Sequence, residues 1–314
     1  MDKFNPVDMS LWQGRQDPED GEQALRWHDK VQPWAAEAQE AAGVVLLGFA
    51  CDEGVRRNKG RVGAAGAPLA VRKLLANTAW HLNRPVYDGG DVSCSDGDLD
   101  AAHGRLAERV AAALDLGHFP LVLGGGHEVA FGSWSGLNRY LGGSGKVGII
   151  NFDAHFDLRM KQDLASSGTP FFQIAEQCAA QGTPFRYACL GVAETANTQA
   201  LFARADELGV WYVKDEAMSE RALPTLLSGL DAFIADFGHL YLTIDLDVLP
   251  GNLMPGVSAP AARGVELAVI EPLIAHIRAS GKLRLADLAE YNPTLDQDNR
   301  SARVAARLVH LLTR

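Results

Sequence analysis

Cysteine is scarce in this chain. There are four in 314 residues, Cys51, Cys94, Cys178 and Cys189, and none is spaced as CxxC. That excludes a disulfide framework and a paired-cysteine zinc site, and it fits a reducing cytoplasm. Basic charge is also in deficit. Lys and Arg number 29 against 39 Asp and Glu, for a formal net charge of −10. Nucleic acids and anionic membranes need a basic surface, so neither is an expected partner. No segment approaches the roughly 18 to 20 apolar residues of a membrane-spanning helix. The first twenty residues are polar and acidic and do not read as a signal peptide. Internal repeats, low-complexity tracts and inter-domain linkers are missing too, so one domain over residues 1–314 is expected.

What is present is an alternation of short apolar runs with amphipathic stretches. The runs at 43–50, 85–91, 119–123, 146–150, 187–192, 210–213, 239–247 and 283–290 read as strands, the second as a short edge strand. Helices are expected at 69–76, 100–116 and 299–312 among others. This predicts an α/β fold with about eight mostly parallel strands and helices on both faces. Residues 1 to about 40 carry Trp12, Trp27 and Trp34 and have a helical flavour from Gln23 to Ala42. They read as an N-terminal arm that packs on the domain or on a neighbouring subunit, which makes a homo-oligomer an expectation.

Three of the apolar runs end in metal-type ligands. Leu121–Val122–Leu123 is followed closely by His127. Lys146–Ile150 leads into Asp153, His155 and Asp157, and His239–Ile244 into Asp245 and Asp247. Residues two apart on a strand point the same way. In a parallel sheet all the carboxyl ends lie on one edge, where open α/β proteins bind ligands. Four carboxylates there repel unless roughly four positive charges balance them, and two divalent ions do so. Two ions sharing carboxylates lower the pKa of a water held between them, giving a nucleophile near neutral pH. Oxygen and nitrogen donors without thiolate favour Mn²⁺.

Gly125–Gly126–His127, Asp153–Ala154–His155–Phe156–Asp157 and Thr243–Ile244–Asp245–Leu246–Asp247 together resemble the three signatures of the ureohydrolase family, in order and spacing, from about Val44 onward. That family includes arginases, agmatinases and formimidoylglutamases. The resemblance implies a three-layer α/β/α arginase-like fold and two Mn²⁺ per subunit. It assigns His127, Asp153, Asp157 and Asp245 to one ion and Asp153, His155, Asp245 and Asp247 to the other. Asp157 would also serve catalysis, and Glu290 would grip the amidine or guanidine nitrogens.

The substrate is read from departures within the family. Arginases and many agmatinases carry a proton-shuttling His where this chain has Ser167, and serine cannot shuttle a proton near pH 7. The run Ser166–Ser167–Gly168–Thr169–Pro170–Phe171 is similar to that of formimidoylglutamases. So are 56–65, 255–264 and 290–293. The resemblance therefore implies a small amidine substrate, N-formimidoyl-L-glutamate, hydrolysed to L-glutamate and formamide in histidine degradation. The alternative is an agmatinase- or guanidinobutyrase-type guanidino hydrolase releasing urea. Arg56, Arg57, Lys59 and Arg61 crowd a Gly-punctuated loop in an otherwise acidic protein. Arg57, Asn58, Lys59, Arg61, Ser167 and Asn197 are the expected substrate contacts, with the cations meeting the two substrate carboxylates.

Overall fold

The structure, a computed structural model, describes residues 4–35, 41–143 and 145–314. Ten strands form one sheet among them. They are β1 (Phe4–Asn5), β2 (Gln32–Pro33), β3 (Val44–Ala50), β4 (Val86–Ser93), β5 (Phe119–Leu123), β6 (Val147–Phe152), β7 (Tyr187–Val192), β8 (Trp211–Lys214), β9 (His239–Asp245) and β10 (Leu283–Ala289). The order is β1-β4-β3-β5-β10-β9-β6-β7-β8, with β2 also on β4. Every pairing is parallel except β1 with β4.

Nearly all strand residues from β3 to β7 are buried, as a sheet covered on both faces requires. Alternation divides them. Val44, Leu46, Leu242 and Ala286 join one apolar cluster with α2 (Ala67–Ala76), α7 (Leu223–Ala235), α8 (Leu267–Ala279) and α9 (Arg300–Thr313). Val45, Leu47, Tyr241 and Leu285 join the other, with α3 (Leu99–Asp115), α4 (Val129–Tyr140), α5 (Pro170–Gln181) and α6 (Gln199–Glu207). The result is the expected three-layer α/β/α arrangement. No helix among the described residues is long and apolar enough to cross a membrane.

Two expectations fail. The second strand is not at the sheet's edge, because β1 and β2 of the arm cover β4. The arm is not helical through Gln23–Ala42 either. It forms 3₁₀ turns at Pro18–Ala24 and Trp27–Asp29 and then β2, while residues 36–40 lie outside the described residues. Burial of its apolar side chains overrides helical spacing. Trp12, Trp27 and Trp34 are all buried against their own chain, and the Trp12 indole N–H donates to Asp88 at 2.8 Å.

Candidate active site

The four strands that carry the chemistry lie side by side in the sheet, in the order β5-β10-β9-β6. Their carboxyl ends therefore deliver His127, Glu290, Asp245 with Asp247, and the Asp153–Asp157 loop to one crevice. Tight backbone packing makes this fit. A Cβ on Gly125 would lie 1.6 Å from the Cys51 carbonyl oxygen, so only glycine lets the His127 loop pass beneath β3. Asp157 (φ 48°) and Glu290 (φ 65°) both hold left-handed backbone, a conformation that non-glycine residues keep only where surrounding bonds enforce it.

Two ligand sets converge. His127, Asp153, Asp157 and Asp245 form one, and Asp153, His155 and Asp247 the other. The His127 Nδ1 faces Asp157 at 2.8 Å and Asp153 and Asp245 at 3.1 Å each. His155 Nδ1 is 3.1 Å from Asp247 and 3.5 Å from Asp153. Asp153 thus belongs to both sets. Asp245, expected in both, clusters only with the first, and its Oδ1 accepts the Asp247 amide at 2.9 Å.

The electrostatics call for cations. Burial pushes Asp157 up to about 6, helped by the Asp153 charge, and pushes Asp245 up to about 8, helped by Asp247 and Asp153. Burial, then Asp245 and Glu128, lifts Glu290 well above its usual range. Burial alone would lower His127, yet its three carboxylates push it well above 6.5. Burial would also raise Asp153, but bonds from the two imidazoles bring it below its ordinary value. His127 Nδ1 and Asp247 Oδ1 are buried without a hydrogen-bond partner of regular geometry. Four carboxylates and two imidazoles with orphaned atoms turned inward fit a pair of divalent ions better than a hydrogen-bond network.

Other residues brace this floor. Asn151 donates to Asp153 and to the Tyr187 hydroxyl, both at 2.9 Å. Asn197 accepts from the Phe156 amide at 3.0 Å and donates to the Ala154 and Ala193 carbonyls at 2.9 Å. Its amide thus braces the metal-ligand loop, and Asn197 also borders the cavity described next.

Above the floor opens a cavity of about 430 Å³, the size of a small-molecule site. Asn58, Lys59, Arg61, Ser167 and Glu290 line it, as does Arg159. Asn58 donates to the Ser167 hydroxyl at 3.2 Å. Arg61 is held by the Val257 and Ser258 carbonyls at 2.8 and 2.9 Å. Arg57 does not line this cavity. Its guanidinium bonds Glu53, Gly97 and Ala165, because its helical position turns it behind the loop. Its place is taken by the exposed Arg159, which sequence reasoning missed. The available signal was its position, a cation two residues past Asp157, just beyond the ligand motif rather than in the basic run.

An α/β/α layering with a carboxylate–imidazole cluster at the ends of its central parallel strands defines the class, a hydrolase of the arginase fold. The chain belongs to the arginase family, whose model matches residues 42–313. It is 86% identical over 312 residues to a formimidoylglutamase of Aeromonas hydrophila, covering 99% of each chain. It is 55% identical over 308 residues to that of Chromobacterium violaceum, covering 98% of each. Among solved structures it resembles a Trypanosoma cruzi formiminoglutamase with Mn²⁺ at 26% identity and a TM-score of 0.77, covering 88% of this chain and 94% of that one. A Bacillus subtilis formimidoylglutamase shares the fold, with a TM-score of 0.82 at 23% identity, covering 96% of this chain and 94% of that one.

Proposed function

We propose that this chain hydrolyses N-formimidoyl-L-glutamate to L-glutamate and formamide, a step of histidine degradation in the cytoplasm, and that residues 1–314 act as one unit with the arm as part of it. The carrying observation is the charge division of the cavity. Its floor is anionic and its mouth carries Lys59, Arg61 and Arg159. That division matches a substrate with a cationic amidine at one end and two carboxylates at the other. Agmatine, a dication, meets repulsion at the mouth. Four free thiols fit the reducing compartment.

The donor set fits two manganese ions; His127, Asp153, Asp157 and Asp245 would hold one and Asp153, His155 and Asp247 the other. Bound there, they supply Lewis-acid charge and lower the pKa of a coordinated water. The chain's own groups do the rest. Glu290 spends Oε1 on the His127 amide at 2.9 Å and keeps Oε2 for an amidinium N–H. The substrate charge offsets the cost of burying that carboxylate. Asp157 accepts a proton from the water that adds to the formimidoyl carbon. The bond from that carbon to the glutamate nitrogen then breaks, and the nitrogen leaves with the proton that Asp157 took from the water. Ser167, 5% exposed, offers a hydroxyl to hold the substrate and no titrating group.

Assay of the manganese-loaded protein with N-formimidoyl-L-glutamate tests this. Glutamate and formamide in equal amounts are expected. Urea from agmatine or guanidinobutyrate, with no formamide from formimidoylglutamate, would overturn it in favour of a guanidino hydrolase.

A further inference from the structure

Beneath the floor lies a carboxylate that the chemistry above does not use. Asp287, on β10, is fully buried, and among the described residues no cation is bonded to it. It is the register partner of Thr243 on β9, and both point to the face covered by α4. The Tyr241 hydroxyl donates to its Oδ2 at 2.5 Å. The hydroxyls of Thr243 and Ser133 also face it, and Oδ1 is without a bond of regular geometry. Thr243 Oγ1 in turn lies 3.0 Å from Nε2 of His127, whose Nδ1 faces the three aspartates. A hydroxyl has one proton to give. If Thr243 gives it to Asp287, its oxygen can only accept from His127.

We propose that Asp287 is a positioning residue. By accepting the Thr243 hydroxyl hydrogen bond it makes Thr243 an acceptor for His127 Nε2–H, and so fixes the imidazole ring with Nδ1 toward the ligand cluster. Partners behind a ligand imidazole commonly fix its tautomer and ring plane in this way. This rests on the two-ion reading above.

The test is calorimetric titration of Mn²⁺ into the metal-free full-length chain, with formamide release measured alongside. Wild type is expected to bind two ions; if it binds none, the metal reading falls and the relay with it. Thr243→Val and Asp287→Asn are each expected to weaken one of the two ions about 10- to 100-fold. Thr243→Ser, which keeps the hydroxyl, is expected to bind as wild type. The double variant is expected to lose no more than Thr243→Val alone, because the two residues act in series. Wild-type affinity for both ions in Thr243→Val, or additive losses in the double variant, overturns the relay while leaving the two-ion reading standing. If Asp287→Asn fails to fold, the Val and Ser pair at 243 decides.

Discussion

Asp153 and Arg159 sit on one short loop under opposite physical rules. Asp153 is fully buried and bonded by the His155 amide at 2.6 Å and by Asn151 at 2.9 Å, with two imidazoles against it. Arg159 is exposed, and among the described residues its guanidinium has no hydrogen-bond or ion-pair partner. The floor of the cavity is thus held in place before any ligand arrives, while Arg159 at the mouth remains free to meet one. Such a division separates reaction from recognition. Damage to the floor should remove ions and chemistry together, and damage to the mouth should change affinity alone.

The sharpest break is at Asp153, the one group shared by both ligand sets. Asp153→Ala is expected to strip manganese from the protein and drop formamide release to background. Metal analysis after gel filtration checks it, and retention of both ions would contradict the shared-ligand assignment.

A smaller break separates bracing from substrate contact. Asn197→Ala leaves the Phe156 amide without its partner, while the Ala154 and Ala193 carbonyls lose one donor each and keep the Ala193 and Ala196 amides. A buried amide so orphaned costs about 1–3 kcal/mol, and a loss of that size is expected. Urea unfolding measures it. A raised KM with an unchanged midpoint would return Asn197 to the substrate.

The same contrast explains what the sequence could disclose. Floor residues were legible because parallel topology sets the carboxyl ends of their strands on one edge; β6 ends at Phe152 and β9 at Asp245, so the loops that follow, not strand alternation, turn Asp153, His155 and Asp247 inward. Mouth residues were not. Arg57, Lys59 and Arg61 crowd one loop, yet Arg57 folds back onto Glu53 and backbone carbonyls while Arg159 arrives from another loop. The destination of a long flexible side chain depends on neighbours remote in sequence, as Gly97 and Ala165 are for Arg57. The arm failed for a related reason. Its spacing suggests a helix, but strand pairing with β4 and burial of three indoles decide its path. Of the eight longer strands, all but β8 were found because their runs are largely buried between the helical layers; β8, at the sheet's edge, is only half-buried.

Arg159→Ala sharpens the comparison at the mouth. Loss of one charge-assisted contact to a carboxylate is worth about 1.5–3 kcal/mol. KM for N-formimidoyl-L-glutamate is therefore expected to rise about 10- to 100-fold with kcat and manganese content unchanged. Arg57→Ala should leave KM near wild type and lower the unfolding midpoint instead. A reversal of the two outcomes would place Arg57, not Arg159, on the substrate.

The smallest effect concerns the backbone under the mouth. Asn292 donates to the Arg61 and Val62 carbonyls at 3.0 Å, and Asp296 ties that same loop to the start of α9 through the Ser301 and Ala302 amides, each at 3.0 Å. Partial burial would raise the Asp296 pKa, but those amides and the Tyr291 hydroxyl outweigh it and hold it below its ordinary 3.8. A carboxyl depressed in the folded state stabilises above its unfolded pKa and loses that contribution as pH falls through the folded one. Asp296→Asn is therefore expected to cost about 0.5–1 kcal/mol near neutral pH, discounted because the carboxylate is half-exposed. The difference from wild type should shrink below pH 3.8. Urea midpoints of both proteins across that range measure it. A difference that stays constant into acid would mean that the loss does not come from charge, and that the Asp296 charge plays no part in holding the mouth's backbone.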